Sequence, residues 1–474
     1  MRPMNALLPH HNPLWFRCQH DGNALALLND QRSYSFRQLA DEVAQLCASL
    51  ERQGVSSGDP VVVISNKATA QLLLQLACLQ LGAIFCPLSF HQPQSALEAM
   101  ATKLGARFYW SDDHQLPGLQ ALTLGYGEEA GEGSITLPAQ LNGKQASSVV
   151  FTSGSSGAPK AVVHSWSNHF FSALGSNQGL SLKPGERWLL SLPLFHIGGQ
   201  AILWRCLIAG AAVVTSSHNL NTQLLAKQGI THLSLVPTQL YRLLRDPGFN
   251  PTQLPLRKLL IGGASCEESL LEQAINRGFE VYSSYGSSEL CSQIATRNHR
   301  IHEHYQVLPF RQAKQVNGEL YLKGETLFMG YWGAQGIKRP EDGEGWFNSG
   351  DRGEVQGRDL QIFGRSSNMF ISGGENIQPE EIEQVLLQHP SIEQAVVLPQ
   401  PNPEYGHRPV AFVQLAAGLN YNELEAHLRQ QLAGLKLPVR YYELPPLRSL
   451  KPQRQNLQKL LSRDQAQPAS IEGL

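Results

Sequence analysis

The sequence predicts an α/β protein: a large N-terminal domain of layered α/β subdomains with a small β-barrel-like part, followed by a small mobile C-terminal α+β domain. Three observations carry this expectation. Over most of the chain, short β-branched runs alternate with amphipathic segments, the rhythm of strands and crossover helices in largely parallel sheets. Further on the pattern changes to polar/apolar alternation, the mark of half-solvated antiparallel strands. A loop then leads into a short run of alternating strands and helices. The chain has 474 residues, and at about 150 residues per domain this allows two to four structural units.

The elements follow in order. Val61-Val62-Val63-Ile64 reads as a buried strand, Ala68 to Leu81 has helical spacing, and Ala83 to Leu88 is the next strand. Strand-like runs return at Trp188 to Leu194, up to Val214, His232 to Val236, Lys258 to Gly262 and Glu280 to Tyr282. Gly318 to Leu322 and Asp359 to Phe363 alternate polar and apolar residues. Ser366 to Ile377 is a loop, and Pro379-Glu380-Glu381 opens a helix, with proline and acids suited to a helix start. Strands at Ala395 to Leu398 and Val410 to Leu415, a helix from Tyr421 and a strand at Tyr441 to Leu444 complete the small unit. The expected division is 1–364, a hinge at 365–368, and 369–474. The polar tail after Ser462 is expected to fray.

Composition narrows the function classes. Hydrophobic residues make up 42% and charged residues 16%, enough for a large core. A formal net charge of −1 gives no basic face for nucleic acid. The longest apolar stretch, Leu72 to Leu88, is interrupted by Gln75, Gln80 and Pro87, so no membrane span or signal segment is expected. Seven scattered cysteines without a CxxC pair read as reduced core thiols of a cytoplasmic protein. Nothing in the sequence decides the oligomeric state, and a homo-oligomer is compatible with it.

The strongest chemical signal is Phe151-Thr152-Ser153-Gly154-Ser155-Ser156-Gly157-Ala158-Pro159-Lys160, directly after an apolar strand and before what looks like a helix. Glycines let backbone amides approach a phosphate, hydroxyls add donors, and the lysine adds a point charge. It is not a Walker A loop, because Pro159 and Ala161 flank the lysine. A solvent linker is the alternative, but linkers rarely follow a buried strand.

This loop resembles the phosphate loop of the adenylate-forming superfamily of acyl-CoA ligases, luciferases and peptide-synthetase adenylation domains, with serine at Ser155 or Ser156 for the usual threonine. The likeness continues in order: Leu192 to His196 resembles the histidine segment, Gly262-Gly263-Ala264 the adenine-side turn, and Tyr285-Gly286-Ser287-Ser288-Glu289 the Tyr-Gly-x-Thr-Glu motif. Ser349-Gly350-Asp351 carries the ribose aspartate, Gly364-Arg365 opens the hinge, and Ser372-Gly373-Gly374-Glu375 follows. The resemblance implies ATP, Mg²⁺ and coenzyme A with a small-molecule acid, and no nucleic acid or membrane partner.

It also implies roles. Thr152, Ser153, Gly154, Ser155, Ser156, Gly157 and Lys160 hold phosphates. Gly262, Gly263, Ala264, Tyr285 and Gly286 flank adenine. Asp351 and Arg365 bind ribose or phosphate, and Glu289 with Ser288 takes the metal. His196 gates the acid pocket, although a lone histidine after an apolar run is more often a core residue. Gly373 and Gly374 line the coenzyme A path. Leu444 to Arg454 resembles the C-terminal lysine motif, in which Lys451 bridges the acid carboxylate and the α-phosphate. Leu450 replaces the usual glycine there, and Ser367 replaces the acid or lysine common at the hinge. His299, His302 and His304 are read as a polar loop rather than a zinc site, having no cysteine partners.

One residue speaks to the acid. Arg205 interrupts the apolar helix Ala201 to Ala209, and a buried guanidinium is costly unless paired with a structural acid or a substrate carboxylate. Leu190 to Arg205, Ser234 to Leu240, Glu381 to Glu383 and Gly406 to Val410 resemble family members whose acid is aromatic. That acid carries a second carboxylate on its ring and is activated on a succinyl arm. This likeness implies that Arg205 meets the ring carboxylate, with His196, Gln200 and Ser287 nearby. The alternatives are another aryl- or acyl-CoA ligase, an adenylation enzyme loading a carrier protein, and a non-catalytic nucleotide-binding homologue. Acceptor assays with coenzyme A and with a carrier protein separate the carrier-loading alternative from the ligase reading. The third would normally have lost Lys160, Glu289, Asp351 or Arg365.

Overall fold

A computed structural model describes residues 7–125, 137–152, 159–264, 266, 268–373, 375–416, 418–432, 434–445 and 454–472. Among these, most strands lie in two large sheets. The first has thirteen strands. Its parallel centre runs through Leu25–Leu28, Ala212–Val214, Arg187–Leu189, His232–Leu235, Lys258–Gly262 and Glu280–Ser287. Beyond Glu280–Ser287 the sheet turns antiparallel, through Ser292–Asn298, Tyr305–Val307, Asp359–Arg365, Phe347–Gln356, Glu319–Gly324 and Arg311–Val316. The second sheet has eight strands, with Pro60–Ile64, Ile84–Pro87 and Phe108–Ser111 parallel at one end.

The apolar patterns explain these placements. Pro60–Ile64 is buried at every position, as expected of a parallel strand covered on both faces. The helix Ala68–Leu81 stops at Gly82, which adopts a left-handed φ of 69°. The run from Trp188 forms strand only over Arg187–Leu189; the chain then bends through Pro193, which cannot donate to a ladder.

Two expectations are corrected. The glycine- and serine-rich segment does not join a strand to a helix. It joins Ala146–Thr152 to Lys160–Ser165, two antiparallel neighbours, with Thr152 opposite Lys160. The β-branched run Ala161-Val162-Val163 favours strand, and the helix begins only at Trp166, where Ser165 provides a capping box with Asn168. The tail after Ser462 is also tied down: Ile471–Glu472 pairs with Leu419–Asn420, and Ala469 and Ile471 bury in the C-terminal core.

That core is built from residues Phe370 onward, with a three-stranded sheet of Ile392–Asn402, Gly406–Leu415 and Tyr441–Glu443. It touches the preceding part through Glu393, which accepts from Tyr241 and pairs with Arg245 at 3.2 Å. No helix among the described residues is long and apolar enough to cross a membrane. The thiols of Cys47, Cys78, Cys86, Cys206 and Cys291 are buried, and burial raises their pKa, which disfavours a nucleophilic thiolate.

Three core imidazoles are held neutral. Burial lowers His164 to about 4 and His232 to about 3, and pushes His169 well below its usual value. The unfolded chain therefore binds more protons than the folded one below pH 6.5, so stability falls as the pH drops through that value toward 4. Each residue removes about 1.4 kcal/mol per pH unit once the unfolded form is protonated. A melting temperature that drops steeply between pH 6.5 and 4.5 is the expected result; a flat profile would place these rings in contact with water.

Candidate active site

Among the described residues, Lys160 and Glu289 meet through Tyr331, and Tyr285, Asp351 and Arg365 meet through direct contacts. Glu289 lies just beyond the carboxyl end of the parallel strand Glu280–Ser287, the usual side for a ligand in open α/β sheets. Lys160 begins its strand, and its Nζ lies 5.1 Å from the centroid of the Tyr331 ring. Tyr331 stands on Gly330–Gly333, which pairs with the lysine strand through Tyr331 opposite Val162. The Tyr331 hydroxyl donates to Glu289 Oε1 at 3.0 Å. Lysine, tyrosine and glutamate thus form one short chain. Tyr331 was not anticipated; the Gly330-Tyr331-Trp332 run after an apolar stretch offered only a weak signal.

Glu289 sits in the turn between Glu280–Ser287 and Ser292–Asn298. The hairpin carries a bulge between Tyr285 and Gly286. A Cβ on Gly286 would fall 2.0 Å from the Ser292 carbonyl oxygen, so only glycine allows this approach. After the turn, Cys291 and Ser292 hold φ of 52° and 95°, rare for residues with side chains. The Ser287 hydroxyl accepts from the Leu290 amide at 3.3 Å. The donor set fits magnesium: one carboxylate and a serine hydroxyl leave the other positions to phosphate oxygens and water, as Mg²⁺ prefers.

The residues expected at the ribose lie in the neighbouring antiparallel strands. Asp351 lies opposite Arg365, whose Nε stands 2.7 Å from Asp351 Oδ1. The Tyr285 hydroxyl donates to Asp351 Oδ2 at 2.5 Å. Burial raises the Asp351 pKa above its usual value despite Arg365, and it raises Tyr285 further still. Arg365 is half exposed and also donates to the Ser349 carbonyl at 2.9 Å. Gly262 ends its strand beside Ser284, Gly263 takes φ 85°, and Ala264 is exposed.

The acid side centres on the helix Ile197–Ala209. His196 is its N-cap residue and is exposed, not part of the core. Gln200 is fully buried, its Oε1 accepting from Gln75 and its Nε2 donating to the Leu194 carbonyl. Those two bonds fix the Gln200 amide between the helix and its neighbours. Arg205 is 1% exposed, and its Nη2 donates to Ser292 Oγ at 3.3 Å. Its Cζ lies 5.4 Å from the Trp188 ring centroid, and its Nε has no partner. Among the described residues no carboxylate lies within ion-pair distance of it. Arg311 is the contrast: equally enclosed, it donates to the carbonyls of Gln293, Pro309 and Ser172 and to Ser172 Oγ. One buried guanidinium is satisfied by the fold; the other is not.

Ser153, Gly154, Ser155, Ser156, Gly157, Gly374 and Lys451 lie outside the described residues. Gly373 has φ 56°, and a Cβ there would press on Leu435 and Tyr405. Of the three loop histidines, His299 is buried against Ser283 Oγ at 2.7 Å and Glu268 at 3.4 Å, and His304 faces Gln361.

Comparison with known proteins agrees with this geometry. Residues 14–332 match the model of the AMP-binding enzymes, and residues 381–451 match that of the AMP-binding enzyme C-terminal domain. The 2-succinylbenzoate–CoA ligase of Salmonella typhimurium is 37% identical over 91% of this chain and 92% of its own. That of Escherichia coli is 36% identical over 94% and 97%. Among solved structures, a variant of E. coli MenE with bound OSB-AMS superposes with a TM-score of 0.85 at 34% identity, covering 96% of this chain and 98% of its own. Bacillus subtilis MenE in complex with ATP and magnesium ion gives 0.81 at 26% identity, covering 92% and 96%. The chain belongs to the AMP-binding enzyme family and, within it, to the 2-succinylbenzoate–CoA ligases.

Proposed function

We propose that this protein activates 2-succinylbenzoate with ATP, releasing pyrophosphate, and transfers the acyl group from the acyl-adenylate to the thiol of coenzyme A. The reaction places it in menaquinone synthesis, in the cytoplasm. The observation that carries the substrate is Arg205, a buried guanidinium with one long hydrogen bond and no carboxylate partner among the described residues. A ring carboxylate would supply the missing charge; a fatty acid would offer nothing to it.

The chain's own groups divide the work. Arg205 holds the second carboxylate and so orients the succinyl arm, with Ser287 and His196 at the pocket. Asp351 accepts from the ribose hydroxyls, and Tyr285 keeps that carboxylate in place while its ring flanks adenine. Lys160 and the loop amides hold the triphosphate, and Glu289 with Ser288 would hold Mg²⁺, which neutralises charge on the phosphates when bound. Lys451 aligns the attacking carboxylate with the α-phosphorus. The carboxylate oxygen forms its bond to phosphorus as the bond to pyrophosphate breaks. Positioning and electrostatics supply most of the rate in such a displacement. The part after the hinge at 365–368 then turns, withdraws Lys451, and brings Gly373 and Gly374 to line the thiol's path.

The test is pyrophosphate release with ATP, Mg²⁺ and 2-succinylbenzoate, beside benzoate and a fatty acid, with and without coenzyme A. Release with the diacid alone and a coenzyme A thioester as product is the expected outcome. Release with another acid in its place would keep the chemistry and overturn the substrate.

A further inference from the structure

We propose that His164 is a positioning residue for the metal–triphosphate centre: its imidazole ties the strand that carries Lys160 to the turn that carries Ser288 and Glu289. The inference rests on the ATP-dependent reading above. It is carried by one contact, His164 Nε2 to the Ser288 carbonyl oxygen at 2.7 Å, between a fully buried ring and a half-buried turn.

The strand geometry gives the contact its meaning. Side chains two and four residues apart share one face of a strand, so His164 stands on the same face as Lys160. It therefore reaches the Ser288 turn from the strand whose first residue meets the triphosphate. A second tie comes from the neighbouring segment: the Phe328 amide donates to the Glu289 carbonyl at 2.8 Å, while the Met329 amide donates to the Val163 carbonyl at 2.9 Å. The two carbonyls of Ser288 and Glu289 are thus held from one side by the lysine strand and from the other by the segment leading to Tyr331. The turn needs holding, because Cys291 and Ser292 directly after it sit at positive φ.

The protonation state is dictated by the partner. A carbonyl only accepts, so Nε2 carries the hydrogen and Nδ1 carries the lone pair. Nδ1 is buried without a partner, and the nearest ring is His169 at 5.3 Å between centroids. The contact itself makes His164 a donor to the turn. Removing His164 takes away one of the two hydrogen bonds to the Ser288 carbonyl, whose other donor is the Cys291 amide at 3.1 Å, within the proposed metal site itself.

The experiment compares His164→Leu, His164→Gln and His164→Asn. Glutamine can place its amide nitrogen near the lost Nε2, whereas asparagine places it near Nδ1. ATP binding is measured by calorimetry with Mg²⁺ and with EDTA, beside the two half-reactions. The expected result is a weakening of ATP binding in Mg²⁺ by about tenfold for the leucine and asparagine variants, recovered to within about threefold by glutamine. The loss in EDTA is smaller, and transfer of pre-made adenylate to coenzyme A is nearly unchanged. Equal losses with and without Mg²⁺, equal losses in both half-reactions, or glutamine no better than asparagine would overturn the assignment. Should the leucine variant fail to fold, the comparison of glutamine with asparagine decides alone. Failure of wild-type protein to release pyrophosphate with 2-succinylbenzoate would count against the substrate, while the Mg²⁺-dependent difference between variants would still stand for His164.

Discussion

Arg205→Met is expected to lower kcat/KM for 2-succinylbenzoate by about 10²- to 10³-fold while leaving the ligand-free protein at least as stable as wild type. The two halves of this expectation have opposite signs because the guanidinium is in different company in each state. Without ligand it is buried, makes one hydrogen bond at 3.3 Å to Ser292 and leaves its Nε unpartnered. Burial pulls its pKa down to about 10, a measure of how poorly the charge is compensated. Replacing an uncompensated buried charge with an apolar side chain of similar volume is often neutral or stabilising. With the diacid bound, the same change strands a carboxylate in an apolar pocket. The KM for ATP should stay close to wild type. Wild-type protein should also favour the diacid over the analogue lacking the ring carboxylate, and the variant should lose that preference. Differential scanning fluorimetry and steady-state kinetics check both halves. A melting temperature several degrees lower, with losses for acid and ATP alike, would make Arg205 a structural residue.

The same contrast shows what the sequence could and could not display. Arg205 stands out because it breaks an apolar helix, and a charge in such a place announces a cost that something must offset. Arg311 lies in a strand of alternating polarity and gives no such warning, although it is as deeply enclosed. Gly286, Glu289 and Asp351 were legible because their neighbours are constrained by backbone geometry that only certain residues satisfy. Tyr331 and His164 were not, because each acts through a partner more than a hundred or some forty residues away, on a strand pairing that local pattern does not specify. The strand at Lys160–Ser165 was missed for a related reason. A glycine-rich loop before a lysine suggests a helix start, and the hairpin register of Thr152 with Lys160 appears only when both strands are in the sheet. Gln200 was expected at the acid pocket from the resemblance of its segment, and the pairing of its amide with Gln75 on a different helix could not be read from local pattern.

Lys451→Ala is expected to separate the two halves of the reaction. Adenylate formation should fall by about 10²-fold or more, the scale of losing one charged contact that strengthens in the transition state. Transfer of the acyl group from supplied adenylate to coenzyme A should stay close to wild type, because the proposed turn of the C-terminal part withdraws Lys451 from the site before that step. Lys451 lies outside the described residues, but the helix that follows is firmly placed. Arg454 at its start donates to the Val397 carbonyl at 2.6 Å and pairs with Glu383 and, at 3.6 Å, with Glu380. Glu380 also accepts from Asn368 and Gln378, and Gln378 donates to the Arg365 carbonyl at 3.1 Å. The helix that begins at Arg454 and the proposed hinge are thus joined through one carboxylate. That linkage supplies what Ser367, with its short neutral side chain, cannot. Glu380→Ala should therefore disturb both half-reactions, whereas Lys451→Ala disturbs only the first. Rapid-quench measurement of adenylate formation, with thioester formation from synthetic adenylate measured separately, distinguishes them. Equal losses in both steps for Lys451→Ala would mean that a single arrangement of the C-terminal part serves the whole reaction.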